Sequence, residues 1–403
     1  MTMRVLHVTK TSDGALWAAE MASRLVDLGV DVHVALPRAR GAAHGSWMQS
    51  GATIHIVDLN LPLGSFWDFT KAKRAAQRLV DRIKPDLIHS HFVSTTVMLR
   101  AALGKGHSIP RVFQVPGPLH LEHSTFRRLD LLTAGASDTW IASSECIRQH
   151  YVRANVDPNR VYLSYYGTDI GRIKTDRTNR LRNWLGLHDS QLLIGNISHM
   201  YPPKFYLGQF QGIKGHETVI DALALVTRER KAVIGTLVGG GWNGAKWYET
   251  RLRERAARRA GSQIILPGPV AGEFAASAWA DFDCVVHVPT SENCGGVVEP
   301  LLAGVPTIAS AVGGLPEIII DGVTGYIVPP RDPRALADCI LSALDKLPLA
   351  RGIAATGQQR VRHMFDVQRT AAQVLRIYED VLGAELRSTE QHQCATTGRV
   401  ASW

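Results

Sequence analysis

The sequence lacks several features that would place it in a specialised class of protein. Its 403 residues contain only five cysteines, which are scattered without a CxxC pair or a zinc-ligand spacing, so neither a disulfide framework nor a structural zinc site is predicted. No run of about 18 apolar residues occurs, which argues against a membrane-spanning helix. The start of the chain also lacks the apolar core of a signal peptide. These absences predict a reduced, cytoplasmic setting.

The charge of the chain is the next informative property. The formal net charge is +9 and the sequence pI is about 9.4. Nucleic acid, an anionic membrane surface or a substrate that carries a polyphosphate could each explain this excess of basic residues. No nucleic-acid-binding motif accompanies the charge, and the basic residues do not form one long tail. We therefore expect no nucleic-acid partner.

Short β-branched runs alternate with amphipathic helical stretches along most of the chain, which predicts parallel sheets built from βαβ units. The series restarts once, after the polar stretch GTDIGRIKTDRTNR. The sequence therefore predicts an α/β protein with two Rossmann-like domains, at 1–180 and 181–365, that face each other across a cleft. A helix at 366–387 is expected to cross back to the first domain, and a disordered tail is expected at 388–403.

Each predicted strand coincides with one of the β-branched runs. They are Arg4–Thr9, Val30–Leu36, Ile54–Val57, Leu87–His89, Val112–Val115, Thr139–Ala142 and Val161–Ser164 in the first domain, and Leu192–Ile197, Ala232–Val238, Ile264–Leu266, Cys284–His287, Thr307–Ala309 and Gly325–Val328 in the second. Ligands bind to parallel sheets at the carboxyl ends of such strands.

The stretch HVPTSENCGGVVEP, which begins at His287, has the most informative chemistry. Glu292 lies in the loop after a strand, and Gly295 and Gly296 open a helix that carries Glu299. Adjacent glycines let the backbone approach a ligand closely, and a helix N-terminus offers N–H groups to an anion. Two carboxylates that bracket such a turn could bind the hydroxyl groups of a sugar and of a ribose. Alternatively, Glu299 only supports the helix dipole and Glu292 is only solvated.

This stretch resembles the second-domain signature of the family 4 glycosyltransferases, a group of retaining enzymes with the GT-B fold. The resemblance extends over nearly the whole chain in the family's order. It includes VLHVTKTSDGALWAAEMASRLVDLGVDVHV at the start, KPDLIHSHF at 84–92, SYYGTDI at 164–170, GIKGHETVIDAL at 212–223 and the block from Glu292 to Glu299.

The resemblance implies a role for particular residues. Gly14 would approach the donor diphosphate, His91 would lie beside the reacting sugar, Lys214 would neutralise the departing diphosphate, Glu292 and the amides of Cys294, Gly295 and Gly296 would hold the donor sugar, Glu299 would bind the ribose, and Gly268 to Val270 would lie beside the base. His91, Lys214 and Glu292 are then the catalytic candidates. The resemblance also implies that no metal or other cofactor is needed, because fixed cations and helix dipoles stabilise the leaving diphosphate.

The sequence departs from the family pattern at three places. Six residues separate Glu292 from Glu299 where the family has seven, so the usual distance counted back from Glu299 falls on Ser291. Asn196 occupies the place of a usual arginine and is taken as a donor-binding candidate. It is followed by an insertion at 199–211, in which Lys204 is a candidate for the missing charge. The first loop has the single glycine Gly14 where two adjacent glycines are common.

Two other patterns suggest metals and are interpreted otherwise. The pair Asp281 and Asp283 spells the DxD of metal-dependent glycosyltransferases, but it precedes a buried strand and is predicted to be structural. His89 and His91 alternate on one strand, and no third ligand is evident in the sequence. We therefore predict no metal site.

The segment 66–84 is the candidate for membrane contact. A basic helix there follows the aromatic residues Phe66 and Trp67, and such a helix can lie on an anionic membrane. The alternative is an ordinary surface helix whose alanines pack on the sheet. Contact with a membrane would place the protein at the inner face of the cell membrane and would favour a lipid-linked acceptor.

The leading hypothesis is a retaining transferase that moves a sugar from a nucleotide-sugar, with a UDP-sugar as the expected donor, to a glycan or lipid-linked acceptor in polysaccharide or glycoconjugate biosynthesis. The alternatives are glycosylation of a soluble natural product, a sugar-nucleotide epimerase, and a non-catalytic protein that binds sugar nucleotides. The acceptor would lie near His120, Glu122 and His123, in a loop of the first domain whose specificity the sequence does not encode in a recognisable motif.

Overall fold

A computed structural model of the chain describes residues 2–62, 64–205 and 208–397. The chain forms two compact units. The first unit contains the residues up to Thr168 together with the chain from Phe365 onward, and the second unit extends from Asp169 to Met364.

The boundary between the units falls before Asp169, earlier than the predicted boundary after Arg180. The intervening segment belongs to the second unit because its backbone bonds to that unit. The Lys174 N–H donates to the carbonyl of Ala276 at 3.2 Å, and the N–H groups of Thr178 and Asn179 donate to one carboxylate oxygen of Asp281 at 2.8 and 2.7 Å. Asp281, half of the DxD pair, is thus fully buried and holds the start of the unit.

The first unit contains a parallel sheet of seven strands in the order β3-β2-β1-β4-β5-β6-β7. The strands are β1 (Arg4–Val8), β2 (Asp31–Leu36), β3 (Thr53–Ile56), β4 (Leu87–Ser90), β5 (Arg111–Val115), β6 (Asp138–Ala142) and β7 (Val161–Leu163). Most of these strands are buried on both faces, as expected for a parallel sheet covered by helices. Each predicted strand is present to within a residue or two.

Eight helices of the first unit are described. They are α1 (Leu16–Asp27), α2 (His44–Gln49), α3 (Phe66–Ile83), α4 (Val93–Leu103), α5 (Leu119–Glu122), α6 (Ser124–Thr133), α7 (Glu145–Arg153) and, from the far end of the chain, α16 (Val367–Thr397). The last helix packs on α1, where Val374 and Tyr378 share a buried core with Ala18 and Leu25. It continues past Ser388, where the sequence analysis places a disordered tail, and residues 398–403 lie outside the described residues.

The second unit contains a parallel sheet of six strands in the order β10-β9-β8-β11-β12-β13. These are β8 (Leu192–Ile197), β9 (Val233–Val238), β10 (Ile264–Gly268), β11 (Cys284–His287), β12 (Thr307–Ser310) and β13 (Tyr326–Val328). The helices are α8 (Arg180–Trp184), α9 (His216–Glu229), α10 (Lys246–Ala260), α11 (Gly272–Ala278), α12 (Gly295–Leu302), α13 (Leu315–Ile318), α14 (Pro333–Asp345) and α15 (Leu347–Phe365), the last of which ends at the unit boundary.

Both sheets have a point near their centre where the strand order reverses. In the first unit the chain runs outward from β1 and returns to the other side of β1 as β4. In the second unit it runs outward from β8 and returns beside β8 as β11. Loops diverge at such switch points and leave a crevice for ligands. The loops in question are those that follow β1, β4, β8 and β11.

The basic helix α3 uses its apolar stripe for packing, as the alternative interpretation of this segment predicts. Ala76, Leu79 and Ile83 are buried in the core of the first unit. Phe66 and Trp67, at the start of the helix, are 72% and 80% exposed. Among the described residues, no helix is both long enough and apolar enough to cross a membrane.

The loop between β1 and α1 has a backbone conformation that favours a second glycine after Gly14. Ala15, which follows Gly14 and precedes α1, has φ 64° and ψ 40° and so lies in the left-handed region. A side chain with a Cβ atom is disfavoured there, whereas glycine adopts this conformation readily. The chain thus has an alanine in a backbone conformation that favours glycine.

We expect Ala15→Gly to raise the free energy of unfolding by about 0.5–1 kcal/mol. The left-handed conformation costs an L-residue about 1–2 kcal/mol, and the greater chain entropy of glycine offsets part of the gain. Urea denaturation measures the change. Ala75→Gly, inside α3, is the control and should lower stability by about 1 kcal/mol. A loss of stability at both positions would contradict the strain at Ala15.

Candidate functional site

The switch point of the second unit brings Lys214 and Glu292 together. Lys214 ends the long loop after β8, and Glu292 lies in the loop after the neighbouring strand β11. The two loops are joined where the Thr290 N–H donates to the carbonyl of Ile213 at 2.8 Å. The Lys214 ammonium forms an ion pair with the Glu292 carboxylate, and the two side chains are 20% and 13% exposed. A cation and an anion are thus held at the carboxyl end of the sheet.

A buried imidazole forms a hydrogen bond to the carboxylate of this ion pair. His287 ends β11 and lies inside the protein. Its Nε2 lies 3.2 Å from a carboxylate oxygen of Glu292, and its Nδ1 lies 3.1 Å from Nδ2 of Asn196 on β8. The amide donates to Nδ1, so the imidazole proton is on Nε2 and points at the carboxylate. Asn196, predicted as a donor-binding residue, therefore positions the histidine that positions Glu292.

The protonation states of His287 and Glu292 follow from their burial and from the charges around them. Burial lowers the pKa of His287, so the ring is neutral at pH 7. Burial alone would raise the pKa of Glu292, but the Lys214 charge and the hydrogen bond from His287 outweigh it and hold that pKa well below its usual range. Glu292 is therefore ionised and fixed. Its second oxygen accepts a hydrogen bond from the Asn293 N–H at 3.2 Å.

The two glycines that open α12 have different environments. A Cβ atom on Gly296 would lie 2.0 Å from Nε2 of His287, so that position admits only glycine while the imidazole stays in place. A Cβ atom on Gly295 would meet nothing within 4 Å, so this glycine borders open space. Cys294 precedes them as the cap of the helix and is buried. The open space beside Gly295 lies where the N-terminus of α12 favours an anion.

Glu299, the predicted ribose ligand, is held by two residues that the sequence analysis did not single out. One carboxylate oxygen accepts a hydrogen bond from the Arg172 guanidinium and the other from the Trp279 indole N–H, both at 3.1 Å. Trp279 is buried. The carboxylate is therefore oriented before any ligand arrives, although no spacing in the sequence links these three residues.

The loop predicted to lie beside the base follows β10. Gly268 has φ +106° and accepts a hydrogen bond from the Gly239 N–H at 2.9 Å. Val270 borders a cavity of about 400 Å³ that is also lined by Arg180, Trp184 and Phe274. The Arg180 guanidinium lies over the Phe274 ring, 5.0 Å from its centroid. The cavity thus has the flat apolar walls that a planar ring would contact.

The switch point of the first unit holds three buried histidines. His89 and His91 come from the end of β4, and His7 comes from β1. One ring nitrogen of each histidine lies within 4.8 Å of one ring nitrogen of each of the other two. The sequence analysis found no third partner for His89 and His91, and this was wrong, because parallel pairing places His7 directly opposite His89.

One end of this group is fixed by a backbone carbonyl. The Tyr166 hydroxyl donates its proton to the carbonyl of Gln114 at 2.9 Å. It must therefore accept from Nδ1 of His91, 3.4 Å away. Because His91 is neutral, its Nε2 accepts from Nδ1 of His7 at 3.0 Å. The tautomers of His91 and His7 follow from the direction of one hydrogen bond.

The other end of the group reaches the C-terminal helix. Nε2 of His7 lies 3.4 Å from the Tyr378 hydroxyl, which lies 2.5 Å from Nδ1 of His89. One set of tautomers satisfies all these contacts, with every proton donated in the same direction. Burial lowers the pKa of all three histidines, and that of His7 to about 3. The rings are therefore neutral, His7 and His91 are hydrogen-bonded directly, His89 is linked to them through the Tyr378 hydroxyl, and both nitrogens of His91 have partners within the protein.

The remaining candidates of the first unit have different environments. Gly14 is half-buried in the loop after β1. His120 is bound into the protein, since its Nε2 lies 3.3 Å from the Tyr151 hydroxyl and 3.4 Å from a carboxylate oxygen of Asp130. Of the three acceptor-side candidates, His120 thus has a structural environment, whereas Glu122 is exposed and His123 is half-buried.

Two family models match parts of the chain. Residues 15–172 match the model of Glycosyltransferase Family 4, and residues 204–346 match that of Glycosyl transferases group 1. D-inositol 3-phosphate glycosyltransferase 2 of Catenulispora acidiphila is 27% identical over 93% of this chain and 92% of the relative. The D-inositol 3-phosphate glycosyltransferase of a Nocardioides species is 23% identical over 90% of this chain and 84% of the relative.

Solved structures share the fold. Anabaena HepE in complex with UDP and glucose has a TM-score of 0.78 and 22% identity, with 94% of this chain and 99% of that chain covered. Sucrose-phosphate synthase from Thermosynechococcus elongatus has a TM-score of 0.76 and 20% identity, with 95% and 100% covered.

We expect Gly296→Ala to lower the free energy of unfolding by about 1–3 kcal/mol, because the added methyl group collides with the buried His287 ring. Gly295→Ala is the matched control, one residue earlier in the same helix. Its methyl group enters open space, so stability should be unchanged or raised by up to about 1 kcal/mol. Chemical denaturation of both variants measures the difference, and equal effects would contradict the packing of His287 on α12.

Proposed function

We propose that this chain, which belongs to the family 4 glycosyltransferases of the GT-B fold, is a retaining enzyme that transfers a sugar from a UDP-sugar to a glycan or lipid-linked acceptor. The observation that carries the proposal is the arrangement at the switch point of the second unit. A lysine, an ionised carboxylate and an open helix N-terminus occur there together.

The chemistry of glycosyl transfer accounts for each of these groups. When the bond between the anomeric carbon and the diphosphate breaks, negative charge collects on the diphosphate. The Lys214 ammonium and the N-terminus of α12 would stabilise that charge, since fixed positive groups in a partly dry site cost no reorganisation during the reaction. A bound metal would not be needed for this step. Glu292 would hold Lys214 in position and accept hydrogen bonds from hydroxyl groups of the donor sugar.

Retention of configuration requires the acceptor to enter on the face from which the diphosphate leaves. In this scheme the acceptor hydroxyl forms the new bond to the anomeric carbon, the bond to the diphosphate breaks, and a phosphate oxygen takes the hydroxyl proton. No protein nucleophile is needed. The buried position of His91 agrees with such a scheme, because both ring nitrogens already have partners.

UDP is the nucleotide favoured by the solved structures, because a structural neighbour was crystallised with UDP and glucose. More than one class of acceptor is a candidate. The relatives named as D-inositol 3-phosphate glycosyltransferases make that polyol phosphate a rational first acceptor for screening, next to lipid-linked glycans. Release of UDP that depends on an acceptor would separate transfer from epimerisation of the donor and from binding without turnover.

The exposed aromatic pair at the start of α3, Phe66 and Trp67, supports a second proposal, contact with an anionic membrane. Phe66 and Trp67 extend into solvent at the start of a helix whose exposed side chains include the basic residues Lys71, Arg74, Arg78 and Arg82, and the exposed Lys84 follows as the C-cap. Aromatic side chains that enter the interface and cations that attract acidic lipids are the two contributions such binding requires. A lipid-linked acceptor would then be presented beside the first unit.

The membrane proposal predicts that replacement of Phe66 and Trp67 by serine lowers the affinity for vesicles containing phosphatidylserine at least about tenfold, since burial of one such side chain is worth about 1.5–3 kcal/mol. Co-sedimentation measures the binding. Trp247→Ser is the control, because Trp247 is also exposed but lies in the second unit. Equal loss in the two variants, or no binding by the unmodified protein, would contradict the proposal.

The transfer proposal predicts that Lys214→Ala lowers turnover by about 10²–10³, because a group that stabilises the leaving charge is lost. Glu299→Ala should instead weaken donor binding without unfolding the protein. UDP release from UDP-sugars, measured with EDTA present and with a panel of acceptors, reports the first effect, and calorimetric titration with UDP reports the second. Lys246→Ala, an exposed lysine of the same unit, is the control and should behave like the unmodified protein.

A further inference from the structure

Three aromatic side chains come together beside the switch point of the second unit. Tyr201 lies in the insertion after β8, and Trp242 lies in the loop after the neighbouring strand β9. Their rings are stacked, with centroids 5.0 Å apart and planes at 25°. His199 packs edge-on against Trp242 at 5.0 Å. Tyr201 and Trp242 are only half-buried and His199 is exposed, so part of this aromatic surface faces solvent.

The backbone holds these rings in place. The Met200 N–H donates to the carbonyl of Gly240 at 2.9 Å, and the Trp242 N–H donates back to the carbonyl of Met200 at 3.0 Å. Met200 itself is buried in the core of the unit. A Cβ atom on Gly239 would lie 2.0 Å from the carbonyl oxygen of Ser198, so the two loops touch. The aromatic group is therefore preorganised, which lowers the entropy cost of binding a ligand on it.

The aromatic group adjoins the ion pair of the candidate site. A Cβ atom on Gly212, two residues before Lys214, would lie 2.6 Å from the carbonyl oxygen of Tyr201. The electrostatic effects agree with this proximity. Burial and the charge of Glu292 raise the pKa of Tyr201 to about 12, and burial and the charge of Lys214 lower the pKa of His199. The rings therefore lie on the ion-pair side of the site.

We propose that the stacked pair of Tyr201 and Trp242, with His199 at its edge, forms an aromatic platform whose outward ring face stacks against a pyranose ring of the substrates. Aromatic rings present a flat face with negative partial charge, and a pyranose ring presents a face of weakly positive C–H groups to it. The hydroxyl groups at the rim of the sugar stay available for Glu292. The platform rests on the proposed transfer function, which it deepens by naming a subsite for the sugar.

A pyranose is favoured over the nucleobase as the occupant because of where the platform lies. Tyr201 adjoins the loop of Lys214, which in the proposed mechanism faces the diphosphate and the sugar. The loop expected beside the base follows β10, at the edge of the sheet, and has its own aromatic wall in Trp184 and Phe274. The pyranose could belong to the donor or to the acceptor, since both reach the reacting carbon.

The experiment compares UDP with UDP-glucose by calorimetric titration of the full chain. If the platform stacks against the donor sugar, Trp242→Ala and Tyr201→Ala weaken UDP-glucose binding about three- to tenfold and leave UDP binding unchanged. Trp247→Ala is the matched control. Trp247 follows the same loop, is 52% exposed and packs against Tyr248, so its loss should change neither affinity.

A second arm tests the acceptor as the source of the pyranose. Saturation-transfer NMR of the UDP-loaded protein with free glucose, galactose and mannose should show contact with ring protons that is lost in Trp242→Ala and kept in Trp247→Ala. A response in either arm supports the platform. Equal weakening of UDP and UDP-glucose would assign the rings to the base and overturn the proposal, as would no change in both arms. If the unmodified protein binds neither nucleotide, the transfer function itself has failed.

Discussion

The arrangement of the second unit's site depends on one buried imidazole. His287 receives a hydrogen bond from Asn196, points its proton at Glu292 and leaves room for no side chain on Gly296. It thereby ties a strand, a loop and a helix to one another at the switch point of the sheet. Because burial keeps the ring neutral, the carboxylate above it is balanced by Lys214 alone. A charged imidazole there would compete for the same carboxylate and loosen the lysine.

Both units use the same physical device at the place where their strand order reverses. The first unit has the neutral histidines His7, His89 and His91 there, and the second has the neutral His287. In both units the direction of the hydrogen bonds determines which ring nitrogen carries the proton. In the first unit the direction is set by the carbonyl of Gln114, and in the second by the amide of Asn196. Histidine suits this position because a neutral ring donates a hydrogen bond at one nitrogen and accepts one at the other. The partner at one nitrogen therefore determines which hydrogen bond the other nitrogen makes, even in a buried site without water.

The sequence was sufficient to predict the strands and the order of the motifs, but it did not predict the contacts between side chains on different elements. Strand periodicity predicted both sheets, and the order of the motifs placed Lys214 and Glu292 on loops at the carboxyl ends of strands. Their ion pair could not be predicted, because it depends on the strand order that makes β8 and β11 neighbours. The roles of His7, Trp279 and Arg172 have the same origin. Each is far in sequence from its partner, and none has a spacing that marks it. Asp281 was predicted to be structural, and the bonds it accepts from the segment before α8 explain the boundary of the unit.

The return of α16 to the first unit has a consequence for how the chain is made. The seven strands of that unit leave the ribosome first, yet Val374 and Tyr378, which complete its core against α1, are synthesised only after the whole of the second unit. The second unit is continuous in sequence and can close its core earlier. Until the second unit has been synthesised, the apolar surface of the first unit that Val374 and Tyr378 cover stays exposed. Its exposure to chaperones and to aggregation during synthesis is set by the length of the second unit.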